Sequence, residues 1–331
     1  MHVFRRMTAV PIEAIRAIID SDMRAVDEVI RSRLHSDVVL IRQISSYIID
    51  SGGKRLRPAL VLLSAGLFGY QGRQHHELAA VVEFIHTATL LHDDVVDQSN
   101  LRRGRQTANA LFGNAASVLV GDFLYSRAFQ MMVGVGNMRV MQVLADATNV
   151  IAEGEVLQLL NCHEAGIDEE SYLRVIRYKT AKLFQAAGQV GAILGNATPE
   201  DEQAMADYGM HLGTAFQLID DVLDYSGNNH ETGKNIGDDL AEGKPTLPLV
   251  YAMRTGTPQQ AGVVRHAIEQ GGLDDLAAVI AAIHNTGALD YARRCAQREA
   301  EAACAAIARL PRSRYLESLL QLADFAVTRN F

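Results

Sequence analysis

Apolar residues return every three or four positions along almost the whole of this 331-residue chain, with charges set between them. That spacing is the period of an amphipathic helix. It runs through windows such as 77–96, 115–133, 140–160, 170–194 and 200–225, each long enough for three or more turns. Residues 12–27 read the same way, with charges at Glu13, Arg16, Asp20 and Arg24. Most of the seven prolines sit where a helix should start or stop. Pro58 opens an apolar stretch, and Pro199 follows Thr198, an N-cap residue with proline at the first helical position. Alternating strand patterns are scarce, and no strand–helix alternation suggests a parallel sheet. The expected fold is all-α, a single large helical bundle. No shift in composition marks a boundary, so residues 1–331 read as one domain. The chief break is 226–245, polar and rich in glycine at Gly227, Gly233, Gly237 and Gly243. A loop of that length in a compact domain is usually functional or disordered.

The bulk chemistry narrows the function classes. Lys plus Arg is 31 against 39 for Asp plus Glu, a net charge of −8, which argues against general nucleic-acid affinity. A local basic pocket for an anionic substrate is still allowed. The three cysteines, Cys162, Cys295 and Cys304, show neither a C-x-x-C pair nor zinc-ligand spacing, so reduced thiols in a cytoplasmic protein are expected. No apolar run reaches the roughly 18–20 residues of a membrane span. No signal-peptide pattern follows Arg5 and Arg6. No basic amphipathic helix supports stable anchoring, and no membrane insertion is expected.

Two acidic clusters stand out against this background. Asp93-Asp94-Val95-Val96-Asp97 closes an apolar helical pattern, and Asp220-Asp221-Val222-Leu223-Asp224 repeats it. The first and last Asp of each cluster are i and i+4, on one helix face, where like charges repel. Crowding carboxylates at the end of an apolar stretch is unfavourable without a cation. Hard oxygen ligands at this spacing suit Mg²⁺, which commonly bridges to substrate phosphates. A solvated acidic face explains either cluster alone; a repeated pair is better explained as one device around a diphosphate. Basic points accompany them. Gly52-Gly53-Lys54-Arg55-Leu56-Arg57-Pro58 sets three cations behind a glycine pair. Arg102 and Arg103 follow the first cluster, Lys179-Thr180 and Lys182 lie on a helical window, and Lys234 and Lys244 lie in the polar loop. Arginine suits forked recognition of phosphate oxygens, lysine a point contact. His86 is two turns before Asp93 on the same helix.

These residues, from Gly52-Gly53-Lys54 to Gly243-Lys244-Pro245-Thr246, resemble in identity and order the trans-polyprenyl diphosphate synthase family. The runs 107–113 and 121–126 are similar in particular to its bacterial octaprenyl branch. The resemblance implies an isoprenoid-synthase helical bundle around a central cavity, working as a homodimer. It implies a prenyltransferase that adds isopentenyl diphosphate to an allylic diphosphate such as farnesyl diphosphate, in the octaprenyl case for a ubiquinone side chain. Lys54, Arg57, His86 and Arg103 match residues that hold isopentenyl diphosphate. Arg102, Lys179, Thr180 and Gln217 match residues that hold the allylic diphosphate, and Lys234 joins the substrate-binding set. Asp93, Asp97 and Asp220 match metal ligands for Mg²⁺, three ions per site being expected. Asp94, Asp221 and Asp224 complete the catalytic set as ligands or behind the ligands. Gln106 departs from the family, which often has proline there, and suggests a less rigid loop. Arg329 is the one cation of the extreme C-terminus, and no closing role is expected of it.

Product length also has a physical reading. Ala88 lies five residues before Asp93, about 7.5 Å along the helix at the standard rise. A small residue there, beside Thr89, leaves room for a long chain, with Met131 or Met132 as a deeper floor. Three rivals remain open: a shorter-chain synthase, a terpene cyclase, which would have no use for a second diphosphate site, and a non-catalytic subunit of a heteromeric synthase.

Overall fold

The computed structural model describes residues 12–50, 52–102, 104–226 and 236–329, so Arg103 and Lys234 lie outside the described residues. The chain runs α1 (Ile12–Arg16), a 3₁₀ turn (Ala17–Ile19), α2 (Asp20–Arg33), α3 (Val39–Asp50), α4 (Leu56–Leu67) and α5 (Gln74–Val96). A two-stranded hairpin comes after it, β1 (Leu101–Arg102) with β2 (Arg105–Gln106), then α6 (Ala108–Phe112), α7 (Asn114–Val135) and α8 (Met138–Asn161). Next come α9 (Glu169–Ile176), a π-helical turn (Arg177–Ala181), α10 (Lys182–Leu194) and α11 (Pro199–Asp224). The described chain closes with α12 (Asp238–Ala241), α13 (Leu247–Thr255), α14 (Pro258–Gln270), α15 (Leu276–Thr286), α16 (Ala288–Ile307) and α17 (Arg314–Thr328). The all-helical expectation holds, the hairpin being the only sheet among the described residues.

The helix starts obey local chemistry. Thr198 accepts a hydrogen bond from the Asp201 amide with Pro199 at the first position, as the sequence predicts. Thr257 and Gln260 form a reciprocal capping box on α14. Two expected helices are broken. Residues 12–27 split at the 3₁₀ turn, where the buried Ile19 has a non-helical backbone. The window 170–194 is interrupted by the π turn, which winds in an extra residue; such turns are frequent at functional sites.

Two apolar cores share α11. The first gathers α1–α5, α7, α8, α10 and α17 around fully buried side chains such as Phe84, Phe184 and Tyr208. The second gathers α9, the end of α11 and α12–α16 around Leu218, Val222, Leu249 and Ile283. Each fully buried large side chain contributes about 1.5–3 kcal/mol. Truncating Phe84 to Ala would therefore lose about 3–5 kcal/mol once the cavity left behind is included. Buried polar groups are tied: the Tyr208 hydroxyl donates to the Leu319 carbonyl at 2.6 Å, and Ser64 donates to the Gly188 carbonyl at 2.7 Å. Gly213 lets α11 lie against the π turn, since a Cβ there would stand 2.6 Å from the Ala181 Cα. At the first turn of α5, His75 and His76 both reach Asp22 of α2, at 3.4 and 2.9 Å. A carboxylate at a helix N-terminus is electrostatically favoured, which explains this His–Asp cluster without a ligand. Among the described residues no helix is long and apolar enough to cross a membrane.

Candidate active site

The C-terminal ends of α5 and α11 open on one cavity of about 630 Å³. Each helix ends in its acidic cluster. A helix C-terminus already carries a partial negative charge, so carboxylates there are unfavourable unless cations offset them. The structure supplies those cations from other elements, one to each expected metal ligand. Lys179 of the π turn stands 3.3 Å from Asp93. Lys244, just before α13, donates to Asp97 at 2.9 Å and also pairs with Glu242. Arg329, beyond α17, donates to Asp220 at 2.8 Å. Burial works against the Lys244 ammonium, but Asp239, Asp97 and Glu242 outweigh it and hold it well above the ordinary lysine range.

The other three carboxylates are tied into the protein. Asp94 is fully buried and accepts the Arg102 Nε at 2.8 Å and Nη2 at 2.7 Å. Burial lifts its carboxyl above the usual range against the pull of Arg102. Asp94 therefore orients Arg102, and the two sequence candidates form one unit. Asp221 accepts from the Tyr172 hydroxyl at 2.6 Å and from Gln217 at 2.8 Å. Burial, reinforced by Asp239, pushes it up to about 8. Asp224 accepts from the Asp239 amide at 3.3 Å and so anchors α12. Thr180 donates to Gln217 at 3.1 Å, which links the allylic candidates to the second cluster.

The basic candidates separate by partner. Lys54 lies 5.9 Å over the Phe216 ring and Arg57 4.4 Å over the Phe184 ring, with the two rings 5.8 Å apart. Arg55, in a left-handed conformation before α4, turns instead to Asp27 and Glu83. His86 lines the cavity, as do Thr87, Thr89 and Leu90. The loop carrying Arg102 is closed by the pairs Leu101↔Gln106 and Arg102↔Arg105, and the Tyr47 hydroxyl donates to the Gln106 carbonyl at 2.7 Å. Cross-strand pairing and the Tyr47 bond thus hold the loop at Gln106.

Two sequence candidates lie apart from this cavity, and one reading needs correction. Ala88 and Met132 are buried in the apolar core and do not line the cavity. The reason is helical phase: Thr89 and Leu90 are four and three residues before Asp93 and share its face, whereas Ala88, five before, is turned away. Arg329 takes a place at the site against expectation: its side chain is 1% exposed and its guanidinium lies 3.8 Å over the Phe216 ring. Its Nη2 also donates to the Phe216 carbonyl at 2.7 Å. The only sequence signal for it is a lone cation after an apolar helix. Glu155 of α8, which reaches Lys179 at 2.7 Å, and Tyr172 escape the sequence reading too, since neither belongs to a local motif.

The carboxylates that face the cavity offer hard oxygen donors and no thiolate, a donor set that suits Mg²⁺ or Ca²⁺. Each is balanced by a lysine or arginine, so a cation is already favoured at each position. The residues present fit a divalent ion.

Residues 38–283 match the family model described as polyprenyl synthetase. The chain is 54% identical over 320 residues to octaprenyl diphosphate synthase of Escherichia coli, covering 96% of this chain and 99% of the relative. It is 52% identical over 328 residues to octaprenyl diphosphate synthase of Haemophilus influenzae, covering 99% and 100%. A polyprenyl synthase crystal structure from Caulobacter crescentus, complexed with calcium and isoprenyl diphosphate, superposes with a TM-score of 0.94 at 44% identity, over 98% of this chain and all of that one.

Proposed function

The chain belongs to the polyprenyl synthetase family and is a prenyltransferase, and we propose that it builds an octaprenyl diphosphate by adding isopentenyl diphosphate to farnesyl diphosphate. The observation that carries this reading is the meeting of two acidic helix ends with separate cation groups at one cavity. A cyclase handles one diphosphate and would leave Lys54 and Arg57 without a purpose. The octaprenyl length rests on the two octaprenyl relatives.

Asp93, Asp97 and Asp220 are assigned as ligands of Mg²⁺, with three ions per site. Bound there, Mg²⁺ would supply Lewis acidity and neutralising charge for the leaving diphosphate. Lys179, Thr180, Gln217 and Arg102 hold the allylic diphosphate, with Lys244 beside them. Lys54, Arg57 and His86 hold the diphosphate of the second substrate, with Arg103 and Lys234 assigned to substrate binding as well. The allylic C–O bond breaks to give an allyl cation and diphosphate. The double bond of isopentenyl diphosphate attacks that cation, and the proton lost afterwards goes to the departed diphosphate. The protein contributes placement and fixed charge rather than covalent chemistry. The apolar walls from α5 and neighbouring helices keep water from the cation.

The whole chain acts as one synthase unit in the cytoplasm, as a homodimer, and the product serves a ubiquinone side chain. Exposed apolar residues on α7 and α8, among them Leu119, Val133, Leu159 and Leu160, are the surface assigned to the dimer. The test is incubation with Mg²⁺, farnesyl diphosphate and labelled isopentenyl diphosphate, followed by mass analysis of the product. A forty-carbon diphosphate is expected. No diphosphate release from a folded protein would sink the enzymatic reading, and a single shorter product would sink the octaprenyl length.

A further inference from the structure

Glu155 stands apart from both acidic clusters, on α8, and lines the same cavity. Its Oε2 accepts from the Lys179 ammonium at 2.7 Å, shorter than the 3.3 Å from that ammonium to Asp93. The register between the two residues is set by backbone. Gly154 brings α8 against the π turn so closely that a Cβ would lie 2.7 Å from the Lys179 amide nitrogen and 2.8 Å from the Tyr178 Cβ. The π turn aims Lys179 and Thr180 at the cavity, and the next residue on α8 grips the lysine there.

The remaining Glu155 oxygen, Oε1, is buried with no hydrogen-bond partner. An unsatisfied buried oxygen costs about 1–3 kcal/mol, so a carboxylate kept this way needs a reason other than stability. Burial pushes Glu155 up to about 7, with Asp93 and Asp97 adding to it and Lys179 opposing it. An ordinary ion pair would be placed where both partners are solvated; here the side chains are 17% and 29% exposed.

Lysine reaches its target through a long flexible stem, and holding it in one geometry is entropically unfavourable. Of its two anchors, Asp93 is the one assigned to metal. We propose that Glu155 is a positioning residue for the allylic substrate, keeping the Lys179 ammonium aimed at the allylic diphosphate when Asp93 is engaged elsewhere. The inference rests on the prenyl-transfer reading above and deepens it. It predicts an effect that runs through Lys179 and touches one substrate only.

The test uses the full chain as wild type, Glu155→Gln, Lys179→Ala and the double variant. Binding of farnesyl thiolodiphosphate, an allylic analogue that does not ionise, is measured by calorimetry with Mg²⁺ present, and KM is measured for both substrates. Circular dichroism checks the fold, and Glu155→Ala replaces the glutamine variant if that one is unfolded. Glu155→Gln should weaken the analogue about tenfold, the size of one charge-assisted hydrogen bond. The farnesyl KM should rise in step while the isopentenyl KM stays unchanged. On the Lys179→Ala background the same change should alter affinity less than about twofold, since coupled residues are not additive. Unchanged or tightened binding in Glu155→Gln overturns the inference, as does an equal loss for both substrates or a tenfold loss that persists without Lys179. A wild type that neither binds the analogue nor elongates overturns the prenyl-transfer reading itself.

Discussion

Replacing Arg329 with methionine removes one charge from the end of the chain while keeping most of the stem. The guanidinium it removes donates to the Phe216 carbonyl at 2.7 Å and to Asp220 at 2.8 Å, and lies 3.8 Å over the Phe216 ring. The bond to the partly buried carbonyl is charge-assisted, worth about 1.5–3 kcal/mol. The ring contact adds roughly 1–2 kcal/mol in a desolvated setting. The Asp220 pair counts for less, about 1 kcal/mol, because that side chain is 34% exposed and screened by solvent. Against these stands the desolvation of the guanidinium, itself several kcal/mol. With about 3 kcal/mol of desolvation set against them, the net loss on mutation should be about 1–3 kcal/mol. Urea unfolding of the metal-free protein, monitored by circular dichroism, measures it directly. With Mg²⁺ and a diphosphate ligand bound, Asp220 is assigned to metal, so the loss should shrink by about 1 kcal/mol. An unfolding free energy within about 0.5 kcal/mol of wild type in metal-free buffer would refute the assignment of Arg329 as a buried tie between α17 and the second acidic cluster.

The two clusters should also divide by role. Asp93→Ala should abolish elongation yet leave stability within about 1 kcal/mol, since it removes one of several crowded negative charges. Asp94→Ala should cost about 3 kcal/mol in urea unfolding, because it strips Arg102 of a buried partner. Asp221 carries the pH signature. Its folded value of about 8 lies above its ordinary 3.8, so the native state holds the extra proton between them. Stability of the metal-free enzyme should therefore fall as pH rises through that window, with the loss complete above about pH 8. Urea midpoints at several pH values should show this decline, flattened in Asp221→Asn. Thr89→Phe narrows a cavity wall directly, and mass analysis should show products shorter than those of wild type. An exposed charge placed by Leu160→Glu should shift sedimentation from dimer to monomer.

Much of this enzyme was legible in one dimension because its information is local. A period of three to four residues determines helices whatever packs against them, and Thr198-Pro199 determines where α11 begins. Asp93 and Asp97, or Asp220 and Asp224, share a face by helical geometry alone, so they could be named as candidate metal ligands from spacing. The cations in the glycine-lysine segment could be named in the same way. What tertiary structure decided is which charge meets which. Lys179, Lys244 and Arg329 come from three distant parts of the chain, and nothing in their own neighbourhoods says that they converge on Asp93, Asp97 and Asp220. The π turn that aims Lys179 looks like ordinary helix in the sequence, because an inserted residue leaves no compositional trace. Glu155 has no motif of its own and matters only through the backbone approach at Gly154. Ala88 and Thr89 are neighbours in sequence, but the phase set at Asp93 puts one in the core and the other on the cavity wall. Local periodicity determines the helices; the assignment of partners to charges is a property of packing, since it depends on distances that no stretch of sequence contains.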